Sequence, residues 1–235
     1  VDWNIFARLQ RPFVKLFHQE EQLHVVLLID ASSSMGFEEK DRRALELAAA
    51  LGTMALRGGE RVSVHVFHSA GRGASRLEPI RGRGKRRELF AFLENVTPGG
   101  ETTVEQGVEA LLRRHRGRGA MFVLSDFLTT GDLNRAFNMA FSAGLVPYGL
   151  QLLGPSELSP ELSADVRLVD CENAETLDVT GTGELVRLYR EHLQALLGHL
   201  DAFCRNRGGQ FVSLDTALTA ETVLTDVLRR RGWVR

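Results

Sequence analysis

Cysteine is almost absent from this chain: Cys171 and Cys204 are the only two in 235 residues. Two thiols make no disulfide framework, and a reducing cytosol is the simpler compartment for such a composition. An excess of charge is lacking as well, with 29 Lys+Arg against 30 Asp+Glu and a formal net charge of -1. Without an overall field, nucleic acid or an acidic membrane would need a strong local patch to be a main partner. No apolar run approaches the roughly 18 to 20 residues of a membrane helix, and the N-terminus has no charged-then-apolar signal pattern. Ser/Pro linkers, internal repeats and low-complexity tracts are missing, so one domain is expected. The chain starts at Val1-Asp2-Trp3 without an initiator methionine. Residues 1–22 are therefore read as an N-terminal extension, the remnant of a missing upstream region, and 23–235 as the domain itself.

What is present is an ordinary globular composition, 43% hydrophobic and 25% charged, arranged as alternating apolar strands and amphipathic helices. His24-Val25-Val26-Leu27-Leu28-Ile29-Asp30 is a near-continuous apolar run, the mark of a strand buried on both faces. Helical spacing of Leu45, Ala48, Leu51, Met54 and Ala55 predicts a helix over 41–57, stopped by Gly58-Gly59. Further strands are expected at 61–67, 121–124, 145–153 and 211–214, with a short edge strand at 76–80. Helices are expected at 86–96, 104–114, around 133–141, at 183–207 and at 221–230. An irregular insertion at about 155–182 holds short strand candidates at 166–169 and 177–179. Strands separated by helices of this length imply right-handed crossovers and a mainly parallel α/β sheet with helices on both faces. In such sheets the functional crevice lies beyond the carboxyl ends of the strands.

Asp30 closes the first strand and is followed by Ala31-Ser32-Ser33-Ser34-Met35-Gly36. In an extended loop, residues two apart point the same way, so Ser32 and Ser34 offer both hydroxyls to one point near the Asp30 carboxylate. Converging oxygens suit a hard cation, Mg2+ or Mn2+, in near-octahedral geometry. Two other segments end at the same crevice: Asp126 closes a second buried strand, and Gly99-Gly100-Glu101-Thr102-Thr103 places a threonine just before a helix. Each has a plainer reading, with Ser34 or Thr102 as a helix cap and Asp126 as a turn residue.

These three segments together resemble the von Willebrand factor A fold and its metal-ion-dependent adhesion site. More narrowly, the chain is similar to the DUF58 family of bacterial von Willebrand A-like proteins. The resemblance rests on Val1-Asp2-Trp3 with Ala7-Arg8, residues 25–35, Gly59-Glu60-Arg61-Val62 with Phe67, Leu124-Ser125-Asp126-Phe127, and Tyr189 with Gly208-Gly209. It implies that Ser32, Ser34 and Thr102 bind a metal directly, with Asp30 and Asp126 supporting mostly through water. Thr103 stays open as an alternative to Thr102, because the family's Gly-x-Thr is usually followed by Asp-Leu, whereas this chain has Thr103-Val104. Glu101 is an added acidic neighbour.

Three neutral hydroxyls leave an ion under-neutralised, with one position free for an outside anion. The expected function is thus a cytoplasmic Mg2+-dependent (or Mn2+-dependent) interaction module whose metal takes an Asp or Glu of a partner protein. By resemblance the partner class includes MoxR-type AAA+ ATPases acting in maturation or assembly of other proteins. The rival reading is a Mg2+-dependent phosphoryl-transfer or hydrolytic enzyme using Asp30. Against it, none of Lys15, Lys40 and Lys85 is expected in a strand-end loop, no second carboxylate follows Asp30 by two residues, and neither a Walker loop nor a Gly-x-Ser-x-Gly elbow occurs. The histidines form no metal pattern, His65 and His68 flanking one strand and His192 and His199 sharing a helix face. The basic residues of 81–87 have no interleaved aromatics for base stacking, so no nucleic acid is expected.

Overall fold

The structure, a computed structural model, describes residues 23–67, 75–128, 131–160, 165–169, 176–180 and 182–233. In it β1 (His24–Asp30) is buried at every position. Its odd residues Val25, Leu27 and Ile29 join one hydrophobic core, and the even residues Val26 and Leu28 join another on the opposite face. That is the period-two arrangement a doubly covered strand requires.

Around β1 the sheet grows in both directions. On one side lie β2 (Arg61–Phe67), parallel to β1, and the edge strand β3 (Ser75–Arg81), antiparallel to β2. On the other lie β4 (Gly119–Ser125), β5 (Leu145–Leu153) and, after a later helix, β8 (Gln210–Asp215), all parallel. The order is β3-β2-β1-β4-β5-β8. The mainly parallel α/β class read from the alternation of strands and helices is the one present.

One face is covered by α1 (Lys40–Gly58) and α2 (Arg86–Leu93), through Leu47, Leu51, Leu56 and Leu89. Gly59, at φ 85°, ends α1 in the left-handed conformation that glycine adopts without a Cβ penalty. The other face is covered by α3 (Val104–Leu112), α4 (Leu133–Ser142) and the long α6 (Thr182–Arg205), through residues such as Val108, Leu111, Phe137 and Leu200. Between β5 and α6 come a short helix, α5 (Pro155–Leu158), and two strands, β6 (Asp165–Val169) and β7 (Thr176–Thr180), which pair antiparallel in a separate sheet. The segment expected to be irregular thus contains a small ladder built from its two strand candidates.

The expected last helix is present, but wound differently from an ordinary α-helix. After α7 (Ala220–Thr222) the chain winds into a wider π-type turn at Val223–Leu228, burying Val223 and Leu228. His65 is corrected: it lies inside β2 and is buried. His68, Cys171 and residues 1–22 lie outside the described residues. Cys204 is a free, buried thiol, pushed up to about 12 by burial.

Candidate metal centre

The parallel register brings the carboxyl ends of β1 and β4 side by side, with Ile29 opposite Leu124. Asp30 and Ser125 are therefore neighbours. Ser125 donates its hydroxyl proton to Asp30 Oδ2 at 2.6 Å, and itself accepts from the Phe127 backbone N–H at 3.0 Å. The other Asp30 oxygen accepts the Ser32 backbone N–H at 2.9 Å. The carboxylate is thus fixed in orientation by two donors, 5% exposed.

That bond turns the chain so that Ser32 Oγ and Ser34 Oγ lie 3.0 Å apart. Ser33 turns aside, its backbone N–H donating to Gly100 O at 2.8 Å and its hydroxyl accepting the Gly100 N–H at 2.9 Å. The Gly99 N–H donates to Ala31 O at 2.8 Å. The glycine loop is thereby pinned onto the serine loop, and Thr102 stands two residues beyond the last of these bonds. The serine hydroxyls do not cap a helix: neither Ser32 before the 3-10 turn Ser33–Glu39 nor Glu39 before α1 makes a side-chain cap bond.

The two threonines separate by role. Thr103 is the N-cap of α3, its Oγ1 accepting the Gln106 N–H at 3.2 Å while Gln106 Oε1 accepts the Thr103 N–H at 3.2 Å, a complete capping box. Thr102 has the same glutamine as acceptor, donating from Oγ1 to Gln106 Oε1 at 3.0 Å. A hydroxyl whose proton points away keeps its lone pairs for another partner. Glu101 is exposed and has no assigned role.

Asp126 is the departure from expectation. Its Oδ1 accepts the Leu128 N–H at 3.1 Å, the turn role anticipated for it, but its Oδ2 is bound by the ammonium of Lys40 at 2.9 Å. Lys40 is 1% exposed and also reaches Glu157 Oε1 at 2.6 Å. This corrects the reading that no lysine reaches the strand ends. Burial works against the ammonium, but Asp126 and Glu157 outweigh it and hold its pKa above the ordinary lysine value. Tyr189 Oη completes the chain by donating to Glu157 O at 2.9 Å.

Asp30 answers to the same geometry. Burial first, and then repulsion from Asp126, push its pKa up to about 6, against the pull of the bonds from Ser125 and Ser32. Backbone strain gathers here too, since Glu38, Glu39 and Phe127 are the non-glycine residues with positive φ among those described.

The donor set fits a small hard cation. Two adjacent corners of an octahedron around Mg2+, at about 2.0–2.1 Å from the ion, stand about 3.0 Å apart, the separation of the two serine oxygens. Asp30 is a buried anion with an anionic neighbour and, among the described residues, without a cation of its own on either oxygen. Among the described residues no group of three or more His, Cys, Asp or Glu side chains gathers as a metal cluster. A site made of hydroxyls and two carboxylates is not of that kind. The geometry brings Asp30, Ser32 and Ser34 together, with Asp126 beside them on its own lysine and Thr102 held by Gln106.

Comparison with known proteins agrees with this architecture. Residues 1–199 match a family model described as protein of unknown function DUF58. The uncharacterized protein Rv1480 of Mycobacterium tuberculosis is 26% identical over 241 residues, covering 99% of this chain and 75% of that protein. Conserved hypothetical protein BatB from Bacteroides thetaiotaomicron matches with a TM-score of 0.53 at 15% identity, over 89% of this chain and 98% of its own. The pilus adhesin SpaC from Lactobacillus rhamnosus GG gives 0.57 at 12% identity, over 92% and 31%. At such identities the solved structures speak for the fold, which is von Willebrand A-like.

Proposed function

Because the chain belongs to the DUF58 family, we propose that its strand ends form a divalent-cation-dependent recognition site for another protein. Mg2+ or Mn2+ would be held by Ser32, Ser34 and Thr102, with Asp30 and Asp126 in support. The ion would supply a positive, partly uncompensated centre for an Asp or Glu of the partner. The observation that carries this reading is the serine pair, with its hydroxyls 3.0 Å apart beside a buried carboxylate oriented by Ser32 N and Ser125 Oγ. A protein-interaction module suits this site better than a store of metal, because neutral hydroxyls bind an ion without neutralising it. We place the module in the cytosol, as an adaptor for a MoxR-type AAA+ ATPase acting on other proteins. Among the described residues no helix is long and apolar enough to cross a membrane.

Calorimetry with Mg2+ and Mn2+ tests the site: the wild type should bind one ion and the Ser32→Ala/Ser34→Ala protein should not. Equal binding by both sinks the assignment. Capture of partners from native lysate, with and without chelator, tests the interaction.

A second reading keeps one observation in its favour. A lysine beside a strand-end aspartate is an element of phosphoryl-transfer chemistry. Here, however, Lys40 is enclosed and its charge is already met by two carboxylates, so it offers little to an incoming phosphate. Phosphatase, nucleotidase and ATPase assays with Mg2+ separate the two readings. Turnover that vanishes in Asp30→Ala would replace the recognition reading.

A further inference from the structure

We propose that the cavity between β2, β3 and α3 binds a small organic phosphate, with the phosphoryl group on Arg76, Arg113 and Arg114. The cavity has a volume of about 300 Å3 and shares no residue with the strand-end site. It exists because α3 covers the β1 side of this sheet face, through Val108 and Leu111, while the edge strand β3 supplies Arg76 at its border. Among the described residues three arginines line it and no Asp or Glu does.

Arg113 and Arg114 follow the last residue of α3, where cations are favoured by the helix dipole whatever else they do. That does not account for Arg76, which comes from another element. The Arg76 Nε is fully buried and has no hydrogen-bond partner among the described residues. A buried donor without an acceptor is costly, so such groups are rare without a bound water or ligand. Among the described residues the ion-pair partner of this guanidinium is Glu78, 2.6 Å from Nη2, whose side chain is 70% exposed. Such a rim pair is weak and screened, and it leaves Nε unmet.

The remaining walls set the class of ligand. His65 also lines the cavity. Burial, and then the positive charge of Arg76, pull it down to about 3, so it is a neutral donor or acceptor at neutral pH. A single carboxylate brings one charge and two acceptor oxygens to three guanidinium groups, of which, among the described residues, only Arg76 has a carboxylate partner, the exposed Glu78. A phosphomonoester, carrying about −1.5 to −2 charge at pH 7 with three acceptor oxygens, matches them. Phe67 and Leu111 give apolar wall beside the cations, and the volume exceeds the needs of inorganic phosphate. It sits at the small end of ligand pockets, which run from about 300 Å3 upward. The occupant is therefore a phosphate ester with a compact apolar or aromatic body.

The test is calorimetric titration of the chain, in a phosphate-free buffer, with phenyl phosphate, inorganic phosphate and benzoate. Phenyl phosphate should bind with one-to-one stoichiometry, roughly tenfold or more tighter than either of the others. Arg76→Gln and Arg113→Gln/Arg114→Gln should each weaken it by a similar factor, with the thermal transition checked for both. Should Arg76→Gln fail to fold, the double variant, at two exposed positions, carries the test alone. No saturable binding of phenyl phosphate overturns the proposal. So does benzoate binding as tightly as phenyl phosphate, which would mean that the head is not phosphoryl. Binding unchanged in the folded variants means an adventitious ion only.

Discussion

At the scale of single residues, the candidate site turns on which hydroxyls are free and which charges are already paired. Thr103 is committed to the α3 cap, so Thr103→Ala should cost about 1 kcal/mol of stability and leave cation binding in place. Thr102→Ala should do the reverse, abolishing Mg2+ binding with little change in the urea midpoint; the opposite pattern in calorimetry would move the ligand to Thr103. Lys40 offers a sharper contrast. Lys40→Ala leaves Asp126 and Glu157 facing each other around a buried gap, next to Asp30. Removing one partner of a buried ion pair costs about 3–5 kcal/mol. Excess Mg2+ should restore part of that loss in urea unfolding, because a divalent ion can take over the orphaned carboxylates; a deficit indifferent to Mg2+ would place the cation site away from Asp126. The Asp-x-Ser-x-Ser loop is legible in the sequence because its meaning lies in a spacing of two. Lys40 is not, since its partners are 86 and 117 residues away and a lysine opening a helix reads as solvated. Ser125 stands out in the sequence only through the family resemblance. Its position just before Asp126, at the end of a strand parallel to β1, is the available signal for its bond to Asp30.

At the scale of elements, α3 ties the two sites together. Its N-terminus carries Thr102 and its C-terminus runs into Arg113 and Arg114, so its seat on the sheet matters for both. Gly107 sets that seat: a Cβ there would stand 2.7 Å from Cγ of Phe67, near the base of a buried ring on β2. Alanine is the better helix former by about 1 kcal/mol, yet overpacking at a buried contact costs typically 1–3 kcal/mol. Gly107→Ala should therefore be net neutral to destabilising in urea, and should weaken Mg2+ binding by lifting the loop that carries Thr102. A more stable variant with unaltered affinity would show that α3 tolerates displacement. Most elements are readable because hydrophobic period and glycine stops agree with them, as for β5 and for α1 with Gly59. The π-type turn at Val223–Leu228 is not readable. Its local sequence carries an ordinary helical pattern, and its wider winding accompanies the packing of Val223 and Leu228 into the core that covers α1.

For the whole molecule, the balance of buried titratable groups fixes how stability follows pH, and two sets of groups pull in opposite directions. His24 is drawn down to about 4 by burial, with the nearby His115 and Arg61 adding to it, and His65 down to about 3. His115 is lowered as well, again chiefly by burial. Each stays neutral in the fold while the unfolded chain takes up protons below about pH 6.5, so the histidines cost stability as pH falls from there toward 4. Asp30 acts the other way. With its native pKa near 6 and an ordinary value of 3.8, the fold binds its proton more tightly than the unfolded chain does, and its contribution rises as pH falls from about 6 to 4. Between pH 6.5 and 5, His24 and His65 together outweigh the single carboxylate, for a net loss of about 2 kcal/mol. Urea unfolding in the presence of chelator should thus show a midpoint that drops through this window. In His24→Gln/His65→Gln the drop should shrink or reverse, leaving the rise that belongs to Asp30. Adding Asp30→Asn to that variant should flatten most of what remains, apart from the smaller pull of His115. A wild-type midpoint that climbs toward pH 5 would mean that the histidines carry their protons inside the fold and that the carboxylate alone sets the profile.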